Sequence, residues 1–348
     1  MADAGAIPGS ESARLSLRAQ RRLVEREQAW ARLVEAGLAW QPDPHQPPAE
    51  TALLLLSSPQ EWTTEHLKDA ALHVLLVEAA LREMGWTLGS AAAQWVQFVG
   101  CRVRWISQTA LRPRKPGPWP GRQAFFDEFL RPLLARCPDD AWWRGWRRPL
   151  RSLLQWGARD EIAELQSLIA SLTPRRRWAP WTAGVLPLEP PGLAAILARE
   201  EALRRGARLI YEWRGKQTGS APLRPWQGAA WVRFHESEEQ AAADYLEHRA
   251  SLGCVLPLWN RCGEPMACCP RRPEADLLVA TGRGNVPAGG AALDLFLRAI
   301  RPMAPAAVIE HAGDESREQF LAVVRREFRV AWIAETGSGR RACLIERA

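Results

Sequence analysis

Residues 328–347 read FRVAWIAETGSGRRACLIER and decide the fold. Two apolar runs, 328–334 and 341–347, flank the short turn 335–339. Such a turn can join only antiparallel strands, because a parallel crossover needs a dozen or more residues. The segment therefore predicts that the last two strands of a sheet form an antiparallel hairpin.

Upstream of this hairpin, strand-like and helix-like patterns alternate. Apolar runs cover 207–213, 229–234, 253–258, 275–280 and 306–311. Helical spacing covers 192–205, 237–250, 289–300 and 314–326. Strands that alternate with helices form parallel sheets. The predicted fold class is α/β, with a Rossmann-like C-terminal sheet that is mostly parallel and has an antiparallel last strand.

The first half of the chain has another pattern, which predicts a helix-rich α+β domain. Helical periodicity covers 13–37, 65–84, 122–136, 141–156 and 159–172. A β-hairpin is predicted where 94–99 and 102–106 flank Gly100 and Cys101. The predicted domains are a disordered N-terminus (1–12), the helix-rich domain (13–172), a proline-rich linker (173–191) and the α/β domain (192–348).

The composition argues against several classes of protein. The 348 residues carry a formal charge of +7, and 47% are hydrophobic, which allows a sizeable core. The sequence has no run of about 18 apolar residues that would span a membrane and no early apolar stretch of the kind that directs export. We therefore expect a cytoplasmic protein with reduced thiols. Four cysteines cluster with a spacing too irregular for zinc, so no metal site is expected: Cys254, Cys262, Cys268 and Cys269.

Several stretches carry a resemblance to a known family. They are 65–70 (EHLKDA), 87–98 (TLGSAAAQWVQF), 103–107 (VRWIS), 125–134 and much of 207–348. The text resembles bacterial class I methyltransferases that carry a kinase-like segment, similar to aminoglycoside phosphotransferases, in front. The resemblance implies a methyltransferase sheet and S-adenosylmethionine as the cofactor of an active member.

The kinase-like stretch lacks the charged residues of the family. By the resemblance, Ser90 replaces the aspartate that orients the acceptor hydroxyl, Trp95 the metal-binding asparagine, and Ser107 the second metal-binding aspartate. Phosphoryl transfer depends on Mg²⁺ held by such groups, and serine and tryptophan do not supply their charge. We interpret this segment as a scaffold and not as a kinase.

The cofactor turn is present in altered form. Glu212, Gly215 and Gly219 resemble the acidic-x-Gly-x-x-x-Gly turn of the family, with one residue inserted after Glu212. Glycines allow the backbone to approach a cofactor closely. The helix that should follow contains Pro225 where an intrahelical N–H is needed, so we expect this helix to be absent or a single turn.

The remaining cofactor acceptors also depart from the family. His235 takes the position of the carboxylate that receives the ribose hydroxyls, and Glu236 can substitute only if the strand has already ended. Arg261 falls at or beside the adenine-binding aspartate, which leaves Asn260 as the substitute. The candidate cofactor residues are thus Glu212, Gly215, Gly219, Glu236 and Asn260, and no catalytic residue is assigned.

Tryptophans among arginines indicate a protein-binding surface. The chain has 18 tryptophans, and such side chains anchor protein interfaces or stack on bases. The residues concerned are Trp142, Trp143, Trp146, Trp178 and Trp181. Packing of the indoles on the neighbouring domain or a protein partner is favoured over nucleic acid.

Three functions remain open at this point. The first is a pseudoenzyme, a scaffold or regulatory partner subunit that binds no cofactor. The second is an active S-adenosylmethionine-dependent methyltransferase with an atypical pocket. The third is a nucleic-acid-binding module that uses the tryptophan and arginine clusters.

Overall fold

A computed structural model gives the structure of the chain, which forms two compact units. It describes residues 9–40, 57–137, 161–172, 193–214, 229–249, 255–260, 273–280, 286–287, 290–311, 317–335 and 340–348. The first unit takes Met1–Gln41, Ala70–Val96 and Arg104–Leu172, and the second takes Pro42–Asp69, Gln97–Val103 and Thr173–Ala348. The domain boundaries inferred from the sequence stay a prediction.

The N-terminal elements are mainly helices. In chain order they are α1 (Gly9–Glu35), α2 (Thr64–Glu83), β1 (Trp86–Leu88), β2 (Val96–Val99), β3 (Arg102–Trp105), β4 (Leu111–Pro113), α3 (Arg122–Phe125), a π-helical turn (Phe126–Leu130), α4 (Arg131–Arg136) and α5 (Glu161–Ser171). Strands β2 and β3 form the predicted hairpin, with Gly100 at a φ of 59° in its turn. Helix α1 begins at Gly9, whereas the predicted helix begins at residue 13. The predicted helix 141–156 and linker 173–191 lie outside the described residues.

A buried carboxylate in the first unit explains a strand pair that the sequence did not reveal. Glu78 of α2 accepts hydrogen bonds from the Thr87 hydroxyl and the Leu88 N–H, both at 2.8 Å, and from Arg82 Nε at 2.7 Å. Burial raises the pKa of Glu78, and these donors partly offset the rise. The carboxylate therefore holds β1 against α2, and β1 pairs with β4.

The second unit contains a seven-stranded sheet with helices between its strands. Its elements are α6 (Leu193–Arg205), β5 (Leu209–Arg214), β6 (Ala230–His235), α7 (Glu238–Arg249), β7 (Val255–Trp259), β8 (Leu277–Ala280), α8 (Gly290–Ile300), β9 (Ala306–His311), α9 (Arg317–Val324), β10 (Phe328–Glu335) and β11 (Arg341–Arg347).

The strand order is β10-β11-β9-β8-β5-β6-β7. Strand β5 pairs in parallel with β6 and β8, and the parallel pairing continues to β7 on one side and β9 on the other. Strand β11 is inserted between β9 and β10 and is antiparallel to both. The structure thus confirms the predicted fold class: a methyltransferase-type α/β sheet with an antiparallel last strand.

One face of the sheet changes from apolar to charged along β5 and β6. At the start, Ile210 and Trp231 lie in register, are fully buried, and pack against alanines of α6. Because alternate residues of a strand share a face, the same face next carries Glu212 beside Arg233 and then Arg214 beside His235. The charged end of this face lies toward the carboxyl ends of the strands.

Within the described part of the chain, no helix is both long enough and apolar enough to cross a bilayer. The prediction of a cytoplasmic location stays a prediction.

We predict that His73 makes the first unit sensitive to acid. Its Nε2–H lies 2.7 Å from the Leu38 carbonyl oxygen, and burial lowers its pKa from 6.5 to about 4. In the unfolded chain this histidine takes up a proton near pH 6.5, so stability is lost as the pH falls below that value. Between pH 7 and pH 5 this residue lowers the free energy of unfolding by about 2 kcal/mol.

The test is denaturant unfolding of the wild type and of His73→Gln, whose amide can still donate to the Leu38 carbonyl. Between pH 7 and pH 5 the wild type should lose about 2 kcal/mol more than the variant. Equal losses in the two proteins would contradict this account of His73.

Candidate functional site

The topology of the sheet indicates where a ligand would bind. Strands β6 and β7 follow β5 on one side, whereas β8 and β9 lie on its other side, so the strand order reverses between β5 and β8. Open α/β sheets bind ligands at the carboxyl ends of the strands beside such a reversal. The described strand ends that flank this position are Arg214 of β5 and Ala280 of β8, and β6 and β7 end on the far side of β5.

Arg233 of β6 is the centre of a charged network below these strand ends. Its Nε donates to Glu212 Oε2 on β5 at 2.8 Å, and its Nη1 donates to Asp244 Oδ1 on α7 at 2.8 Å. The arginine side chain is only 1% exposed. Burial alone would lower the pKa of Arg233, but the two carboxylates raise it above its usual range, so the guanidinium keeps its charge.

Asp244 receives two further donors from histidines. His235 Nε2 lies 2.8 Å from Oδ2, and His248 Nδ1 lies 3.1 Å from Oδ1 and 2.9 Å from the backbone carbonyl oxygen of Asp244. A carboxylate can only accept, so each ring nitrogen donates. Burial would raise the pKa of Asp244, but Arg233 and the two histidines hold it well below its usual value.

The pKa values of the two histidines shift in opposite directions because the rings differ in burial. Burial lowers the pKa of His235 despite its bond to Asp244, so this ring is neutral at pH 7. His248 is more exposed, and its hydrogen bond to Asp244 raises its pKa. The position that the family resemblance assigns to a ribose-binding carboxylate therefore holds a neutral imidazole bonded to Asp244.

Glu212 has arginine partners on both carboxylate oxygens. Besides Arg233 on Oε2, Arg214 Nη1 lies 3.4 Å from Oε1. Burial lowers the pKa of Arg214, and Glu212 partly offsets that effect. Residues of its own sheet thus engage this candidate cofactor residue.

The other two candidates in the described part of the chain follow adjacent strands. Strand β6 ends at His235, and Glu236 comes directly after it. The alternation of side chains between the two faces of the strand therefore does not fix the direction of the Glu236 side chain. Asn260 follows β7, and its N–H donates to the His235 carbonyl at 2.7 Å. Its Oδ1 is buried and has no hydrogen-bond partner among the described residues. Gly215 and Gly219 lie outside those residues.

The described residues fit S-adenosylmethionine only in part. Asn260 Oδ1 is a buried acceptor that suits an amine donor such as that of adenine. Glu212, however, is paired with arginines, and His235 is bonded to Asp244 instead of facing a ribose.

Sequence reasoning did not identify Arg233, Asp244 or His248 as members of this network. A signal for Arg233 was present, because a charged residue in the middle of an apolar strand must have a buried partner. Asp244 and His248 are four residues apart, a spacing that places them on one face of a helix. Their common contact with Arg233 depends on the packing of α7 against β6.

The other candidate features cannot be placed. The five tryptophans of the predicted partner surface lie outside the described residues, as do all four clustered cysteines: Trp142, Trp143, Trp146, Trp178, Trp181, Cys254, Cys262, Cys268 and Cys269. Over the described ranges, histidine, cysteine and carboxylate side chains form no group of three or more that could hold a metal ion.

Comparison with known proteins gives a partial sequence match. The chain is 37% identical over 95 residues to nodulation protein NoeA of Rhizobium meliloti strain 1021; the match covers 26% of this chain and 20% of NoeA. The chain thus spans about a fifth of the length of that relative. No family model matches the chain.

Structure comparison finds methyltransferases at low similarity. The magnesium protoporphyrin IX methyltransferase ChlM of Synechocystis PCC 6803, solved with bound S-adenosylmethionine, has a TM-score of 0.34 and 12% identity over 44% of this chain and 76% of ChlM. The CurJ carbon methyltransferase has a TM-score of 0.36 and 13% identity over 93% and 99% of the two chains. The pyocyanin biosynthetic protein PhzM has a TM-score of 0.33 and 15% identity over 95% and 100%.

The strand order of the sheet itself assigns the fold. The comparisons do not confirm the kinase-like character of the N-terminal segment. They also give no support to the expectation that the chain binds no cofactor.

We predict that Arg233→Met destabilises the second unit by about 3–5 kcal/mol, because the substitution leaves Glu212 and Asp244 buried without their common cation. The matched control is Arg298→Met on α8, whose side chain is 61% exposed and pairs with Asp294 and Glu327. An exposed pair of this kind is worth about 0–1 kcal/mol. Urea unfolding of both variants measures the difference, and equal losses would contradict the role of Arg233.

Proposed function

We propose that this protein is a methyltransferase-fold subunit that does not transfer methyl groups and that acts as a scaffold or regulatory partner. The observation that carries the proposal is the pairing of Arg233 with both Glu212 and Asp244 at 2.8 Å. Glu212 is the only acidic candidate of the altered cofactor turn, and the protein neutralises it with its own arginines.

The charge of the cofactor explains why this pairing matters. S-adenosylmethionine carries an amino group and a sulfonium, and both favour nearby acceptors or negative charge. To offer Glu212 to the ligand, the protein would have to break a buried ion pair, which costs about 3–5 kcal/mol. That cost lowers affinity by about two to four orders of magnitude.

The neutral imidazole of His235 lowers the expected affinity for S-adenosylmethionine further. A hydrogen bond to a charged acceptor contributes about 1.5–3 kcal/mol. His235 has replaced the carboxylate that the family resemblance places here, and its Nε2–H is directed to Asp244. The ribose hydroxyls of a bound cofactor would therefore lack the acceptor that the resemblance implies.

A second candidate function is an active methyltransferase with an atypical pocket. Two observations favour it: Glu236 lies directly after the end of β6, and Asn260 Oδ1 is buried without a hydrogen-bond partner among the described residues. In this function Glu236 would receive the ribose hydroxyls and Asn260 the adenine amine. The nucleic-acid hypothesis has no comparable observation, because its tryptophans lie outside the described residues.

Calorimetry with S-adenosylmethionine separates the two candidates. We predict no measurable binding at about 100 μM ligand, which corresponds to less than about 5.5 kcal/mol of binding free energy. The reason is that arginines pair with Glu212 and that His235 is bonded to Asp244.

The opposite result has a clear signature. If micromolar binding is measured, and Glu236→Ala abolishes it while the exposed control Glu247→Ala on α7 does not, the non-catalytic proposal fails. Glu236 would then be the ribose ligand, and a search for the methyl acceptor would follow.

A further inference from the structure

Two N-terminal segments pack against α7 and β7 of the sheet domain. They are residues 57–69 and Gln97–Val103, which belong to the second compact unit although about a hundred residues or more separate them from its sheet in the sequence. We call these two segments the N-terminal clip. Their contacts with α7 and β7 are specific and largely buried.

The first contact joins the beginnings of two helices. The Thr64 N–H and hydroxyl both donate to Glu238 Oε1 at 3.0 Å. Thr64 begins α2, and Glu238 begins α7. The first N–H groups of a helix have no hydrogen-bond partner within the helix. At the start of α2, the Thr64 N–H finds its acceptor in a carboxylate 174 residues away in the chain.

Asp69 makes the second contact, about one and a half turns further along α2. Its carboxylate accepts a hydrogen bond from the Tyr245 hydroxyl at 2.8 Å and forms an ion pair with Arg249 at 3.0 Å. Tyr245 is completely buried. Removing either donor would leave the Asp69 carboxylate with one partner fewer in a largely buried position.

Aromatic rings fill the space between these polar contacts. The His66 ring lies 3.7 Å from the Tyr245 ring, and the Phe98 ring lies 5.0 Å from His66. Trp62 packs edge-on against Phe98 at 5.2 Å. Burial lowers the pKa of His66 to about 3, so this ring packs as a neutral side chain.

The turn of the β2–β3 hairpin makes the last contact. Cys101 Sγ lies 3.4 Å from the Val255 carbonyl at the start of β7. Burial raises the pKa of Cys101 to about 12, so the thiol keeps its proton and donates. Strand β7 is an edge strand of the sheet. The free backbone groups of an uncovered edge strand can pair with a strand of another chain. The hairpin turn therefore contacts the sheet at its β7 edge.

We propose that the outer surface of α7 and β7 is a docking surface for the N-terminal clip. The two halves of the chain should then remain bound to each other through the clip when the chain is cut between residues 173 and 191. Asp244, the acceptor for Arg233, directly precedes Tyr245 on α7. The clip therefore also holds the helix on which the charged network depends. This proposal does not rest on the presence or absence of cofactor binding.

The test uses the full chain with a site-specific protease sequence placed between residues 173 and 191. After cleavage, the two pieces are separated by gel filtration over a series of dilutions, which gives their dissociation constant. We expect the wild-type pieces to co-elute. Asp69→Ala should weaken their association by about tenfold or more, because it removes the hydrogen bond from Tyr245 and the ion pair with Arg249.

Two further variants complete the test. Tyr245→Phe keeps the ring and removes only the hydroxyl, so it should weaken association without unfolding the sheet domain. Arg21→Ala on α1 is the control, since its side chain is 82% exposed and pairs only with Glu25 among the ion pairs of the described residues. Immediate separation of the wild-type pieces, or equal dissociation constants for Asp69→Ala, Tyr245→Phe and the control, would overturn the proposal.

Discussion

The guanidinium of Arg233 lies between two buried carboxylates, and the structure around β5, β6 and α7 depends on that arrangement. An isolated charge at 1% exposure would be very costly. Glu212 must therefore stay opposite it on β5, and Asp244 must stay opposite it on α7. The parallel register of the two strands meets the first condition, and the packing of α7 meets the second.

This arrangement has a direct consequence for function. In a sheet of this topology the ligand is expected at the carboxyl ends of the central strands. Here the charged groups just below those ends satisfy one another: arginines pair with Glu212, and His235 bonds to Asp244. The fold is retained, while one acceptor that the family resemblance implies, Glu212, is paired within the protein, and His235 stands in place of another.

Most of the sheet could be predicted from the sequence, but the network could not. Apolar runs and one short turn were enough to predict the antiparallel strand β11. The pair of three-residue strands β1 and β4 gave no such pattern, because it depends on the Glu78 carboxylate. Glu212 was identified as a candidate by its position, but its arginine partner became visible only once the cross-strand register was known. Likewise, the end of β6 at His235 decided where Glu236 lies.

The central claim is that Arg233 neutralises the acidic residue of the altered cofactor turn. A crystal structure grown with millimolar S-adenosylmethionine tests it most directly. The account predicts that Arg233 Nε remains within about 3 Å of Glu212 and that no cofactor lies at the carboxyl ends of β5, β6 and β7. A bound cofactor whose ribose contacts Glu236 and whose adenine amine contacts Asn260 would contradict it.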